Sequence, residues 1–246
     1  MKPLLSALGL WRRHEERVIE VLQLALSKLG SESSLPLDEN PINRRLCFCI
    51  RRANRELSQR GRGLVCPFFY EAHNQPTADD KKRAAREHKR PDFQCGFANR
   101  MEPDPDRADM FFVIECKRLG CANRTDWVFN VNYVAHGICR FVEADHGYGK
   151  GAPSGAMVGY IQSMEPAQIL QEVNDNAQSR RLKPLQLSPE GWQYGGTAEL
   201  SQVLCRPAVP PTPFELRHLW VDLRTQQTGS AHRARGPAAR SRPRRA

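Results

Sequence analysis

Apolar residues recur at helical spacing in two stretches near the start of the chain. The stretch from 11 to 29 has one apolar face and ends before Gly30. A second begins near Pro41 and continues to Leu57, and its opposite face is rich in arginine, which usually only solvates a helix. The apolar faces comprise Val18, Val21, Leu22, Ala25, Leu26 and Leu29, then Ile42, Leu46, Cys49, Ile50, Ala53 and Leu57.

Three segments then predict three strands. LVCPFFYEA (64–72) is strand-like despite its proline, KRPDFQCGF (89–97) alternates, and FFVIECKRLG (111–120) starts with an apolar run. The charged residues 76–90 are compatible with a helix or with a mobile connection. Residues 101–109 contain acids and prolines without an apolar pattern, which predicts a loop.

The second half of the chain predicts further helices and strands. Residues 127–142 predict a helix, a glycine-rich turn at 146–155 leads into a strand at 156–164, and 166–180 predict a helix with proline in its first turn. The last strand is predicted at 214–223. The whole order predicts an α/β fold in which helices flank a mixed sheet.

Composition is that of a protein with one sizeable core. The chain has 246 residues, of which 40% are hydrophobic, which suits a single domain with extensions. We predict a helical extension at 1–31, a main domain at 32–224 and a disordered arginine-rich tail at 225–246. No apolar run approaches the roughly 20 residues that cross a bilayer, so we expect a soluble, cytoplasmic protein without a membrane partner. The eight cysteines include no CxxC pair, which favours reduced structural thiols.

The positive charge is concentrated in the tail. The formal net charge is +10, and the residues after Asp222 include seven arginines and no acid, which leaves +3 for the body. Basicity therefore argues only weakly for polyanion binding by the folded part. The tail could bind nucleic acid through counterion release, or it could be solvated without a partner.

Charged residues at two predicted strand ends form the candidate site. Side chains alternate along a strand, so Glu115 and Lys117 share one face while Ile114 and Cys116 point to the other. In an antiparallel hairpin, facing Cβ atoms lie about 4.5–5.5 Å apart, close enough for Asp92 and Glu115 to bind one cation. Mg²⁺ prefers such oxygen ligands, and the carbonyl of Cys116 could add a third.

The chemistry expected of such a cation is phosphodiester hydrolysis. It would screen the phosphate charge and lower the pKa of an attacking water. Lys117 could orient that water or stabilise charge that develops on the phosphate. The alternative is solvated charge at two strand ends, since a second Glu-x-Lys triplet occurs at 87–89 and Pro-Asp recurs within 103–106. The strand context favours the catalytic interpretation.

The segments RPDF and IECKR, with 22 residues between Asp92 and Glu115, resemble the motif of the PD-(D/E)xK nuclease superfamily. The resemblance implies a restriction-endonuclease-like fold with core order α-β-β-β-α-β, which the elements predicted from about residue 36 to 164 match. The resemblance also implies that the protein is a Mg²⁺- or Mn²⁺-dependent endonuclease that acts on DNA.

The resemblance assigns roles to individual residues. Asp92 and Glu115 would be metal ligands and Lys117 the catalytic lysine. Many members also have a glutamate on the first core helix, and Glu39 is the best match for it. Glu16 and Glu20, on the earlier helix, are the alternatives to that glutamate.

YVAHGICRFV (133–142) and YGKGAPSGAMVGY (148–160) are similar to segments of nuclease-like proteins from bacterial mobile-element and phage-defence settings. The similarity implies that Asn132, Tyr133, Arg140 and Lys150 lie near the substrate. Tyr133 and Arg140 would share one face of the predicted helix. The alternative is a core tyrosine and a surface arginine. The glycine-rich turn lacks the residue order of a P-loop.

Two hypotheses from different classes follow. The first is a metal-dependent endodeoxyribonuclease, with RNA left open as a substrate and a role in phage defence or restriction. The second is a nucleic-acid-binding or protein-interaction module that keeps the fold without cleaving. A module without catalysis has no need to hold two repelling carboxylates together, which favours the first hypothesis. The sequence contains no winged-helix, finger or helicase motif, so sequence specificity is either absent or supplied by a protein partner. A homodimer also stays open.

Overall fold

The computed structural model describes residues 2–74, 83–100, 102–104, 108–121 and 128–225, which form a mixed α/β fold. The helices of this part are α1 (Lys2–Gly30), α2 (Glu39–Gln59), α3 (Arg83–Glu87), α4 (Phe129–Ala135) and α5 (Pro166–Ser179), with a 3-10 helix at Ile138–Phe141. The strands are β1 (Phe68–Tyr70), β2 (Phe93–Ala98), β3 (Asp109–Leu119), β4 (Ser154–Ile161), β5 (Gln186–Gln193), β6 (Thr197–Leu204) and β7 (Phe214–Asp222).

The strands form one mixed sheet in the order β1-β2-β3-β4-β7-β6-β5. The first three strands make an antiparallel meander, β3, β4 and β7 run parallel, and β6 and β5 continue the sheet with antiparallel pairing. Every residue of β4 is buried, as expected for a central parallel strand that is covered on both faces. The predicted mixed sheet with flanking helices is confirmed.

Helices pack on both faces of the sheet. One core contains the apolar sides of α1 and α2 together with Ile114 and Cys116 of β3. The opposite core contains α4, the 3-10 helix and α5 together with Val113 of β3. Because side chains alternate along a strand, Glu115 and Lys117 point to the side of Val113. This arrangement agrees with the predicted alternation.

The predicted helix at 127–142 is wrong in its second half. α4 ends at Ala135, and a separate 3-10 helix follows from Ile138 to Phe141. The break contains Gly137, where an added Cβ would lie only 2.3 Å from the carbonyl oxygen of Tyr133 and 2.4 Å from Cε of Met157. The chain therefore turns at a point with no room for a side chain. Tyr133 and Arg140 consequently do not share one helix face.

The sequence pattern predicts no strand between 180 and 214, yet β5 and β6 lie there. β5 is a mostly exposed edge strand that contains Pro189, and its register shifts between Leu187 and Trp192, so it lacks apolar alternation. β6 does alternate in burial, but one of its buried positions is Gln202, whose amide donates to the carbonyl of Lys183. Because Gln202 is polar although it is buried, the sequence of β6 does not show a regular alternation of apolar and polar residues.

The remaining predicted elements occur with shifted ends. The predicted helix at 11–29 begins at Lys2, and the predicted first strand contains only three residues. β3 starts at Asp109, the last residue of the predicted loop at 101–109, of which 101 and 105–107 lie outside the described residues. α3 lies inside the charged stretch 76–90, while 75–82 and the predicted tail from 226 onward lie outside the described residues. Over the ranges given above, no helix is long and apolar enough to cross a bilayer.

The glycine-rich turn surrounds the guanidinium of Arg206, which is completely buried. The guanidinium donates to five carbonyls, those of Phe141 (3.2 Å), Tyr148 (2.8 Å), Gly149 (2.8 Å), Ala152 (3.0 Å) and Pro211 (3.2 Å). Its Cζ lies 3.4 Å from the ring centroid of Phe214. Burial lowers the pKa of Arg206 to about 9. Within the described part, all acceptors of this guanidinium are carbonyl oxygens.

We expect Arg206→Met to lower the free energy of unfolding by about 3 kcal/mol, because each buried carbonyl left without its donor costs about 1–3 kcal/mol and water can replace only some of the donors. Urea unfolding measures the change. Arg180→Met, at an exposed position, is the control and should change stability by less than about 0.5 kcal/mol. Equal effects of the two substitutions would contradict this account of the turn.

The second prediction concerns His218 on β7, which is completely buried and whose Nδ1 lies 2.8 Å from the hydroxyl of Tyr133. Burial lowers its pKa from 6.5 to about 3. The unfolded chain therefore binds a proton below about pH 6.5 that the folded chain does not, so stability falls as the pH drops below that value. His218 should contribute a loss of about 2 kcal/mol between pH 7 and pH 5.

Urea unfolding at both pH values tests this. In His218→Gln, the loss of unfolding free energy between pH 7 and pH 5 should be about 2 kcal/mol smaller than in the wild type. In His88→Gln, at an exposed position, that loss should equal the wild-type value. An unchanged slope in His218→Gln would refute the assignment.

Candidate active site

The site lies on a free edge of β3. Pairing with β2 ends at Ile114, although β3 continues beyond it. In the same register Pro91 would face Cys116, and proline has no N–H to donate to a ladder. The N–H of Cys116 instead donates to Oδ2 of Asp92 at 2.6 Å. Where the pairing of β2 with β3 ends, the Asp92 carboxylate therefore contacts the backbone of β3.

A second carboxylate reaches the same edge from α2. The N–H of Arg118 donates to Oε2 of Glu39 at 3.2 Å. Glu39 is the first residue of α2, where the helix dipole favours an acid. Residues from α2, the start of β2 and the end of β3 thus meet along one edge.

The ammonium of Lys117 lies among three oxygens. Nζ is 2.8 Å from Oε1 of Glu39, 2.9 Å from Oε1 of Glu115 and 2.7 Å from the carbonyl oxygen of Cys116. That carbonyl faces the edge that β2 leaves unpaired, and Lys117 itself is buried. The oxygens around it are therefore arranged for a positive charge.

A buried relay holds Asp92 in place. Nδ2 of Asn43 donates to Oδ1 of Asp92 at 2.9 Å, and the hydroxyl of Tyr160 donates to Oδ1 of Asn43 at 2.7 Å. Asn43 and Tyr160 are completely buried. Both oxygens of Asp92 are thus hydrogen-bonded, one through the relay and one to β3, so the carboxylate has a defined orientation.

Glu115 is nearly inaccessible, with 1% of its surface exposed. Its Oε1 accepts from Lys117 and also from Nη1 of Arg140, which is on the 3-10 helix. The guanidinium of Arg140 lies 6.0 Å from the ring centroid of Tyr148. Oε2 of Glu115 is buried, and no described residue is hydrogen-bonded to it. One oxygen of this carboxylate therefore has free capacity to bind a cation.

The electrostatics of the site favour added positive charge. Burial raises the pKa of Asp92 well above its ordinary value, and the neighbouring Glu115 carboxylate raises it further. Burial also raises the pKa of Glu115, against the effect of Lys117 and Arg140. For Lys117, burial opposes the charge, but Glu115, Glu39 and Asp92 outweigh it and raise the pKa. When all five groups are ionised, three negative charges face two positive ones.

The donor atoms suit Mg²⁺ in number and in chemistry. Mg²⁺ is usually bound through one or two carboxylates and keeps several waters. Asp92, Oε2 of Glu115 and the carbonyl of Cys116 supply hard oxygen donors of this kind, although Lys117 contacts that carbonyl. Over the described ranges, no three His, Cys, Asp or Glu side chains form a group with metal-binding geometry. The fit therefore rests on two carboxylates and one carbonyl.

The other predicted residues lie in different places. Arg140 is at the site, whereas Tyr133 is completely buried and contacts His218 and Trp220, as a core tyrosine would. Lys150 lies in the turn around Arg206. Of the three candidate glutamates, Glu39 is at the site. Glu16 is exposed on α1, and Glu20 pairs with Arg62 at 3.0 Å.

Sequence analysis missed Asn43, Tyr160 and Tyr148. Asn43 had a detectable signal, because it shares helical spacing with Leu46 and Ile50 and is therefore a polar residue on an apolar face. A buried amide needs a hydrogen-bonding partner, and here the partners are Asp92 and Tyr160. The two tyrosines carry no such signal, since tyrosine is common in cores.

Comparison of the chain with protein-family models, with curated protein sequences and with solved structures gives no significant match of any kind.

A cation-binding test follows from the position of Lys117. Lys117→Met should lower the free energy of unfolding by about 3 kcal/mol, because Glu39 and Glu115 lose a buried counter-charge. Mg²⁺ at about 10 mM should restore part of this loss, because a ligand of the folded state stabilises it. Thermal unfolding with and without Mg²⁺ measures both effects.

Lys183→Met, at an exposed position, is the charge-matched control and should show neither effect. If Mg²⁺ shifts the unfolding temperature of neither the wild type nor Lys117→Met, the carboxylates do not bind the cation.

Proposed function

We propose that this protein is a Mg²⁺- or Mn²⁺-dependent nuclease that hydrolyses phosphodiester bonds in DNA. The observation that carries the proposal is the convergence of Asp92, Glu115 and Lys117 with Glu39 at the free edge of β3. These groups come from three separate elements. If Asp92 and Glu115 were only solvated charges at two strand ends, there would be no reason for α2 to place Glu39 against Lys117.

The topology supports a restriction-endonuclease-like fold. α2 is followed by the antiparallel meander β1-β2-β3, then by α4 and by β4, which is parallel to β3. This is the core order implied by the RPDF and IECKR segments. The second half of the sheet, formed by β7, β6 and β5, is an addition to that core.

Asp92 and Glu115, with the carbonyl of Cys116, are the groups that would hold the metal ion. When bound, a divalent cation supplies Lewis acidity, which offsets the negative charge on a phosphodiester under attack. The protein prepares this site in advance, because Asn43 and the N–H of Cys116 orient the Asp92 carboxylate. Such preorganisation avoids a reorientation cost during the reaction.

Lys117 and Arg140 are the cationic groups of the proposed site. The carboxylates around Lys117 raise its pKa, which favours the ammonium form. Its Nζ can donate to a phosphate oxygen and stabilise charge that develops there. Arg140 can donate several parallel hydrogen bonds to a phosphate group. Glu39 positions Lys117.

One observation favours the second hypothesis, a module that binds without cleaving. Lys117 forms ion pairs with both Glu39 and Glu115, and such ion pairs can be retained for structure alone. Cleavage and binding must therefore be measured separately.

The decisive assay incubates the purified protein and Mg²⁺ or Mn²⁺ with plasmid, linear duplex DNA, single-stranded DNA and RNA. The wild type should cleave DNA. Asp92→Asn, Glu115→Gln and Lys117→Met keep the side-chain shape and should each lower the rate by at least about 100-fold, because each removes a group that contacts the metal or the phosphate.

Glu190→Gln and Lys183→Met change exposed residues outside the site and should cleave like the wild type. Equal cleavage by the wild type and all three site variants would refute the site. Binding without cleavage on every substrate would favour the second hypothesis, and RNA-only cleavage would overturn DNA as the substrate.

A further inference from the structure

The exposed side of α2 forms a basic surface, here called the arginine face. It comprises Arg44, Arg45, Arg51, Arg52 and Arg55 around Phe48, all of them exposed. Arg44, Arg45, Arg51 and Arg52 are each three or four residues from Phe48, and Arg55 is seven residues from it, so all of them lie on the side of the helix that carries Phe48. The buried stripe of α2 occupies the other side. The arginine face is therefore directed to solvent along the length of the helix.

Among the described residues, most of the arginines of this face have no direct ion-pair partner. α2 contains two acids, and both are engaged elsewhere, Glu39 with Lys117 and Glu56 with Lys28 and Arg60. Arg44 interacts with the hydroxyl of Tyr70. For Arg45, Arg51, Arg52 and Arg55, the described residues provide no carboxylate within 4.0 Å.

Such a face has an energetic cost for the isolated protein. Like charges one helical turn apart, such as Arg51 and Arg55, destabilise a helix by a few tenths of a kcal/mol per pair, at about 0.2–0.5 kcal/mol. A polyanion that binds along the helix would remove this repulsion. Phe48, with 55% of its surface exposed, lies under the guanidinium of Arg51 at 5.8 Å and adds an apolar contact.

The dimensions match a nucleic-acid backbone. From Arg44 to Arg55 the helix rises about 16 Å, at about 1.5 Å per residue. Duplex DNA carries about one phosphate per 3.4 Å of axis on each strand, so this length corresponds to about five phosphates. The face presents five arginines over the same length.

The arginine face also begins beside the candidate active site. Asn43, which holds Asp92, directly precedes Arg44 and Arg45 in α2. A backbone bound along α2 would therefore lead toward the carboxylates. No other exposed helix surface described above combines this charge with this position.

We propose that the arginine face of α2 binds the sugar-phosphate backbone of duplex DNA and directs the strand into the Asp92–Glu115 site. In taking DNA as the ligand, this inference rests on the proposed function. The contacts would be charge-based and independent of base sequence, since they involve phosphates.

The test measures binding of the full chain to a fluorescent 20-base-pair duplex by anisotropy, without divalent metal and at several salt concentrations. Arg45→Gln/Arg52→Gln/Arg55→Gln should weaken binding by at least about 30-fold at 0.1 M salt and reduce the slope of log K against log salt by about 2–3, because each phosphate contact contributes about 0.9. Arg180→Gln/Arg181→Gln/Lys183→Gln removes the same charge from exposed positions on the opposite layer and should change the affinity by less than about threefold.

Replacement of the same three α2 arginines by lysine keeps the charge and should retain binding, which separates a binding defect from misfolding. Circular dichroism of each variant provides the folding control. Three results would each overturn the inference. The first is an equal loss of affinity in the two glutamine triple variants, and the second is an equal salt slope in the wild type and the α2 triple variant. The third is a wild type that does not bind the duplex.

Cleavage distinguishes this inference from the proposed function. A wild type that binds through the arginine face but cuts no substrate would end the nuclease proposal and leave the binding surface standing. If the α2 glutamine triple variant cleaves DNA with the KM of the wild type, the arginine face does not bind the substrate, and the nuclease proposal stands.

Discussion

The candidate site depends on the difference in length between two neighbouring strands. β3 extends past the last residue that β2 pairs with, and a backbone edge inside a folded protein must have its N–H and C=O groups satisfied. Pro91 cannot continue the ladder, so side chains take the place of a strand: Asp92 and Glu39 accept from β3, and Lys117 donates to it. The catalytic candidates are therefore also the groups that complete the sheet.

The charges at this edge of β3 partly balance one another. Three neighbouring carboxylates, of which Glu115 is buried, would repel one another, and Lys117 and Arg140 offset part of that repulsion. Because Lys117 is long and attached to the end of β3, its ammonium can reach Glu39 and Glu115 together. Oε2 of Glu115 is buried, and among the described residues it has no hydrogen-bond partner, so one oxygen of this carboxylate is still available to a cation.

Much of the site could be predicted from sequence because its signals are local. Alternation along FFVIECK assigns Glu115 and Lys117 to one face, and the prediction needs only the strand period. The pairing of Glu39 with Lys117 has no local signal, since the two residues are 78 positions apart. The 3-10 helix that carries Arg140 depends on the close contact at Gly137, which a helical pattern of apolar residues conceals.

Strands β5 and β6 escaped prediction for a related reason. β6 takes its register from β7, a partner late in the sequence, and β5 pairs with β6. Several residues of both strands are polar or exposed. Tertiary pairing therefore overrides weak local preference. The regular elements α2, β3, α5 and β7 were predictable because each buries a continuous apolar face.

Arg206 has a consequence for the order in which the chain folds. Four of the five carbonyls that accept from its guanidinium lie 54 to 65 residues earlier, from Phe141 at the end of the 3-10 helix to Ala152. During synthesis, this segment emerges long before its donor does. We therefore expect the side of the site that holds Arg140 and Tyr148 to reach its final arrangement only after Arg206, which follows β6, has been made, even though most of the charged site residues lie in the first half of the chain.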